Sequence, residues 1–299
     1  LAVVERQLLV APALPLGDIQ ATPISEDPRG VAAPRVRDET ADPSPVSSAT
    51  TKSRAAEAPD AGVPAAVRHH ADSSLNGYSN EVVVHYDRGS VITEQYRAIR
   101  TQILARARNR RVQTHVVTSS APEEGKSVTT INLGIAFTEL KNKRTIIVEG
   151  DLRRPSFRRL FDREASPGLI QYLRGEVEDF EQTIQPTVYD NLQFIQAGGR
   201  DFTSSTELLS SPRMVQLIDR LRDRYDHIFI DTPPVITVTD ACILGAMCDE
   251  TLLVVRLNKT ATEAVDRAKR LLRASNCEVS GVILTHMQYH IPRYLYRYV

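Results

Sequence analysis

Residues 80–288 of this 299-residue chain predict an α/β fold, a mainly parallel β-sheet sandwiched by helices. Short β-branched apolar runs lack the polar alternation of a half-exposed strand, which argues for burial on both faces. Helical patterns separate those runs, as crossover connections require. Two of the runs end in acidic residues, at the sheet edge where ligands bind in such folds.

Taken in order, Ile92, Tyr96, Ile99 and Ile103 recur at helical spacing and predict an amphipathic helix of about four turns. Strands follow at His115–Thr118, Thr145–Glu149, Leu192–Gln196, His227–Asp231, Thr251–Arg256 and Val279–Leu284. The intervening patterns predict helices near Ser127–Leu140, Pro155–Phe161, Thr206–Arg224, Asp240–Met247 and Ala261–Ala274. No internal repeat is visible.

Residues 1–79 read differently. The first aromatic is Tyr78, and nine of the 17 prolines precede it among Ala, Ser, Thr, Asp and Glu. Such a stretch buries too little apolar surface to offset chain entropy, so it predicts a disordered arm or linker. Leu8, Leu9 and Val10 are its one candidate docking element. Residues 289–299 form a separate tail with four tyrosines.

Composition excludes more than it selects. The 37 basic and 37 acidic residues balance, so nothing electrostatic points to nucleic acid as a partner. Of the three cysteines, Cys242 and Cys248 lie in apolar sequence and predict buried thiols, and no CxxC spacing offers a zinc site. No apolar run approaches the roughly 18 residues of a membrane span, and no signal-peptide pattern is present.

The chemistry starts after the first strand. Ser119-Ser120-Ala121-Pro122-Glu123-Glu124-Gly125-Lys126-Ser127 leads directly into a helical pattern beginning at Val128. This strand–loop–helix setting makes the Gly-Lys-Ser tripeptide a phosphate-binding loop, although Ser120 stands where the simple motif asks for glycine. Helix N-termini present unpaired N–H groups and partial positive charge to phosphate oxygens. Lys126 is then the ligand of the β- and γ-phosphates and Ser127 a ligand of Mg²⁺. An ordinary βα turn with a solvated lysine shares the local pattern, and two strand-end acids decide against it. The Thr145 strand runs into Glu149-Gly150-Asp151-Leu152-Arg153, and the His227 strand ends in Asp231-Thr232-Pro233-Pro234. In a parallel sheet both converge on the loop's own edge, where Asp231 reads as the metal-holding acid.

These residues resemble the bacterial protein-tyrosine autokinases of exopolysaccharide and capsule synthesis, whose cytoplasmic domain is P-loop NTPase-like. The resemblance rests on Ser119, Pro122, Glu124, Gly125, Lys126 and Ser127, on Glu149 to Pro155, on Asp231 to Pro234, on Glu94, Arg97 and Arg100, and on the terminal tyrosines, and it covers residues 85–299. It implies transfer of the γ-phosphate of ATP, with Mg²⁺ held by Ser127, Asp151 and Asp231, to Tyr289, Tyr294, Tyr296 and Tyr298 of a neighbouring subunit. It further implies homo-oligomerisation through Glu94, Arg97 and Arg100, with Glu149 orienting or deprotonating the acceptor hydroxyl and Arg153 adding charge. Expected partners are a transmembrane polysaccharide co-polymerase that activates the kinase and a cognate tyrosine phosphatase. The expected location is cytoplasmic, at the inner face of the membrane. Two departures stand out. Glu149 replaces the family's first aspartate of the second acidic motif, and Leu284-Thr285-His286 lacks an asparagine common near the adenine. A solvated helix face explains Glu94, Arg97 and Arg100 equally well. A partitioning-type ATPase switch and a catalytically weak ATP-binding scaffold are the competing functions; the switch usually carries a lysine where this chain has Ala121.

Overall fold

The computed structural model describes residues 7–9, 77–106, 113–163 and 167–287, all within one unit of the chain. The strands are β1 (Gln7–Leu9), β2 (Gln113–Ser119), β3 (Thr145–Glu149), β4 (Ile184–Pro186), β5 (Leu192–Ile195), β6 (His227–Asp231), β7 (Glu250–Arg256) and β8 (Val279–Met287). The helices are α1 (Val83–Tyr86), α2 (Val91–Arg106), α3 (Lys126–Phe137), α4 (Phe157–Leu160), α5 (Leu169–Leu173), α6 (Ser205–Leu209), α7 (Pro212–Arg224), α8 (Asp240–Met247) and α9 (Thr262–Ala274). Strand order across the sheet is β1-β8-β7-β2-β6-β3-β5-β4. The six strands from β8 to β5 run parallel, and β1 and β4 pair antiparallel at the two edges.

Period-two alternation sends neighbouring residues of each strand to opposite faces, where each is buried. Val117, Ile147 and Phe229 pack with α2 and α3, whereas Val116, Ile146 and Ile228 pack with α5 and α7. Leu253 and Val255 complete a smaller cluster under α8 and α9. Both faces are thus covered, as the unalternated runs predict.

Three local differences from the sequence reading have physical causes. The predicted helix Thr206–Arg224 is two helices, because Pro212 has no N–H to donate and instead starts α7. Gln7–Leu9, assigned to the arm, is a strand that pairs Gln7 with Met287 and Leu9 with Leu284. Cys277 is the buried thiol, while Cys242 and Cys248 are half-buried. Tyr78 and Ser79, also assigned to the arm, belong to the fold: Tyr78 is buried in the core and Ser79 N–H donates to the Leu160 carbonyl at 2.9 Å. Residues 1–6 and 10–76 of the arm and the tail at 289–299 lie outside the described residues. No helix among the described residues is long and apolar enough to cross a membrane.

Candidate nucleotide and phosphotransfer site

The loop between β2 and α3 is shaped by Glu124. Its buried carboxylate accepts hydrogen bonds from the backbone N–H groups of Ser120 (2.8 Å) and Ala121 (3.1 Å) and from the Thr260 hydroxyl. These bonds curl the loop without the glycine missing at position 120. Ser119 Oγ donates to the Ala121 carbonyl, while Pro122 and Glu123 are exposed at the tip. Gly125, at φ +90°, occupies a left-handed conformation that few other residues adopt, and α3 begins at Lys126. Thr285 of β8 donates to the Glu124 carbonyl at 2.7 Å and braces the loop from behind.

Two strand-end acids meet at Lys126, as the parallel sheet requires. Lys126 Nζ lies 2.9 Å from Asp151 Oδ2 and 3.5 Å from Asp231 Oδ1, and Ser127 Oγ donates to Asp231 Oδ2 at 2.6 Å. Gly150 permits the acidic strand ends to approach: a Cβ there would lie 2.9 Å from the Asp231 carbonyl oxygen, which accepts the Gly150 N–H. Burial opposes charge on Lys126, but Asp231 and Asp151 outweigh it and raise the ammonium's pKa. Burial pushes the Asp231 carboxyl up to about 6, with Lys126 pulling it down and Asp151 pushing it up. Two carboxylates therefore share one ammonium, a deficit of positive charge that suits a divalent cation with oxygen ligands.

Two side chains expected in the site are engaged by other partners. Glu149 is 1% exposed and both its oxygens are occupied. Oε1 accepts from the N–H groups of Ser156 and Phe157 (2.6 Å), and Oε2 accepts from Ala197 N–H at 2.8 Å. These bonds fasten β3 to α4 and to the end of β5. Burial pushes its pKa up to about 7, while the three N–H donors pull it down. Arg153, expected as a charge in the site, turns to buried Asp240 (2.9 Å), Thr206 Oγ1 (2.9 Å) and the Phe202 carbonyl (2.9 Å). It braces α6 against α8.

A cleft of about 730 Å³ opens beside the loop. Gly125, Lys126, Ser127 and Val128 line it, together with Arg256, Thr285 and His286 and with Val83, Ile92, Leu160 and Arg159. Arg256 was missed from sequence. It ends β7 in register with Thr285, and among the described residues its guanidinium has no ion-pair partner. The available signal was its place at a strand's carboxyl end. Arg159 pairs with Glu81 at 2.8 Å.

Glu94, Arg97 and Arg100 share a face of α2, but both arginines turn inward. Arg97 pairs with Glu94 and with Glu139 (2.6 Å), and Arg100 with Glu139 (2.6 Å) and the Ala136 carbonyl at the end of α3. Tyr289, Tyr294, Tyr296 and Tyr298 lie outside the described residues.

A phosphate-binding loop, a lysine shared by two strand-end aspartates and a parallel sheet define a P-loop nucleotide-binding protein. Residues 123–276, just over half of the chain, match the family model described as an AAA domain. The chain is 34% identical to tyrosine-protein kinase YwqD of Bacillus subtilis over 195 residues, 65% of this chain and 81% of that protein. Its fold matches the kinase domain of Escherichia coli tyrosine kinase ETK with TM-score 0.66 and 25% identity, over 71% of this chain and 82% of that one. It matches the BceF tyrosine kinase domain with TM-score 0.62 and 31% identity, over 68% and 81%. The chain belongs to the bacterial tyrosine-protein kinases. It spans 27% of the length of the matching Ralstonia and Acinetobacter relatives.

Proposed function

We propose that this domain transfers the γ-phosphate of ATP to tyrosine hydroxyls, in the service of exopolysaccharide or capsule synthesis and export. The observation that carries the reading is the convergence of Lys126 and Ser127, which line the cleft, on Asp151 and Asp231. The acceptors we assign are Tyr289, Tyr294, Tyr296 and Tyr298 of a neighbouring copy, and the assembly is a homo-oligomer served by a membrane co-polymerase and a tyrosine phosphatase.

The residues divide the work. The loop N–H groups and Lys126 bind the phosphates, which draws Lys126 away from the aspartates. Ser127, Asp151 and Asp231 would hold Mg²⁺, which would neutralise charge on the β- and γ-phosphate oxygens. Asp151 Oδ1 is fixed by the Arg154 N–H at 2.9 Å, whereas Oδ2 is engaged by Lys126. Departure of Lys126 frees that oxygen, so Asp151 takes the hydroxyl-orienting role that Glu149 cannot fill. A tyrosine hydroxyl with a pKa near 10 needs such an acceptor. Arg256 and Thr285 stand on the opposite side of the loop from the acids and take the nucleoside end. Glu149 and Arg153 hold the surrounding loops, and positional errors of about 1 Å cost on the order of a hundredfold in rate.

Incubation with γ-labelled ATP and Mg²⁺, followed by phosphoamino-acid analysis, tests the proposal. Phosphotyrosine as the labelled product supports it; bound nucleotide with no labelled protein overturns it.

A further inference from the structure

The Cys242–Cys277 pair lies outside the phosphotransfer machinery. Cys242 sits in α8 and Cys277 in the turn between α9 and β8, yet the Cys277 thiol donates to the Cys242 carbonyl oxygen at 3.3 Å. The Cys242 thiol itself donates to the Leu271 carbonyl oxygen of α9 at 3.9 Å. Gly245 makes the room: a Cβ at that position would stand 2.6 Å from Cys277 Sγ. The two thiols differ in access. Cys277 is 2% exposed within the cluster of Leu253, Ala268 and Leu272, while Cys242 is half-buried.

We propose that Cys242 and Cys277 form a thiol oxidation site, with Cys242 the residue attacked by hydroperoxides and Cys277 the residue that resolves it to a disulfide. In the first step the Cys242 thiolate attacks a peroxide oxygen; an S–O bond forms, the O–O bond breaks and hydroxide leaves, giving a sulfenic acid. In the second, Cys277 sulfur attacks the Cys242 sulfur. The S–S bond forms, the S–O bond breaks, and the departing hydroxide takes the Cys277 proton as water. Two thiols are oxidised by two electrons, and the peroxide is reduced to water.

The electrostatics agree with this division. The neighbouring Cys277 side chain, with help from Ser275, brings the Cys242 thiol down to about 6 against the effect of burial. The Cys242 side chain, then burial, raises Cys277. Cys248, pushed up to about 12 mainly by burial, serves as the internal control. Thiolate character and access together select the reactive cysteine. The disulfide would tie α8, which opens with the Arg153 partner Asp240, to the turn that feeds β8.

The test uses the reduced full chain, hydrogen peroxide and dimedone, read by intact mass and peptide mapping. The parent should lose two hydrogens, yield a linked Cys242–Cys277 peptide and recover with dithiothreitol. Cys277→Ser should accumulate the dimedone adduct on Cys242, and Cys242→Ser should show neither product. Because serine could disturb the cluster, iodoacetamide labelling of the unsubstituted protein at pH 7 provides a second arm. Cys242 should react more than about tenfold faster than Cys248, because thiolate abundance outweighs the lower nucleophilicity that accompanies a low pKa. A linkage to Cys248, a first adduct on Cys248, or equal labelling rates would overturn the proposal.

Discussion

Replacing Glu149 with glutamine separates its structural role from a role in proton transfer. In the parent, one carboxylate accepts three backbone N–H groups. An amide has one acceptor oxygen, so its NH₂ must face donors on at least one side. An unsatisfied buried donor costs about 1–3 kcal/mol, which sets the loss expected where Glu149 is protonated. The ionised state adds a pH dependence. The Glu149 pKa rises from 4.5 to about 7 on folding, so its contribution to stability is complete below pH 4.5 and is lost as pH rises through 7. At about 1.4 kcal/mol per pH unit the loss amounts to roughly 3 kcal/mol. Glutamine does not titrate, so the variant, less stable at pH 4, should gain on the parent by that amount by pH 8. Urea unfolding of nucleotide-free protein from pH 4 to 8 provides the measurement. A stability difference that stays constant with pH would refute the burial of an ionisable carboxyl. A variant that keeps full stability while losing phosphotransfer would refute the loop-fastening role and restore Glu149 as a base.

Three other perturbations have expected outcomes. Lys126→Ala should abolish phosphotransfer and cost the nucleotide-free fold about 3 kcal/mol, because it leaves two buried carboxylates facing each other; Mg²⁺ titration should recover part of the lost melting temperature. Reversing the charge of Arg97 and Arg100 should convert the oligomer to monomer in light scattering and lower transfer between copies; an unchanged mass would leave their pairing with Glu139 as their whole role. His227 is buried beside His115, and burial, then His115, pulls its pKa down to about 4 from 6.5. Its contribution is complete above pH 6.5 and is lost as pH falls to about 4, roughly 3 kcal/mol in all. His227→Phe should flatten that acid limb in denaturant titrations, and an unaltered limb would show that another group governs it.

What the sequence revealed follows from which interactions are local. The parallel strands were legible because burial on both faces writes an unbroken β-branched run, and His227–Asp231 is found with its predicted bounds. Lys126, Ser127, Asp151 and Asp231 were legible because strand ends of a parallel sheet share one edge. The edge strands β1 and β4 have three residues each, too few to show a period. The direction of the Glu149 and Arg153 side chains was hidden for another reason. Their partners, Ala197 and Asp240, are 48 and 87 positions away, and no spacing rule reaches them. Glu124 was visible only as a motif letter, since its hold on Ser120 and Thr260 depends on the folded loop.

The central claim is phosphotransfer by this P-loop to tail tyrosines of another copy, and a mixing experiment tests it most directly. Lys126→Ala protein, able only to accept, is combined with a donor in which Tyr289, Tyr294, Tyr296 and Tyr298 are phenylalanine, and γ-labelled ATP and Mg²⁺ are added. The account predicts phosphotyrosine on the Lys126→Ala chain alone, confined to its tail and absent when Asp151→Asn is introduced into the donor. ATP hydrolysis by the donor with no labelled tyrosine on either chain would contradict it.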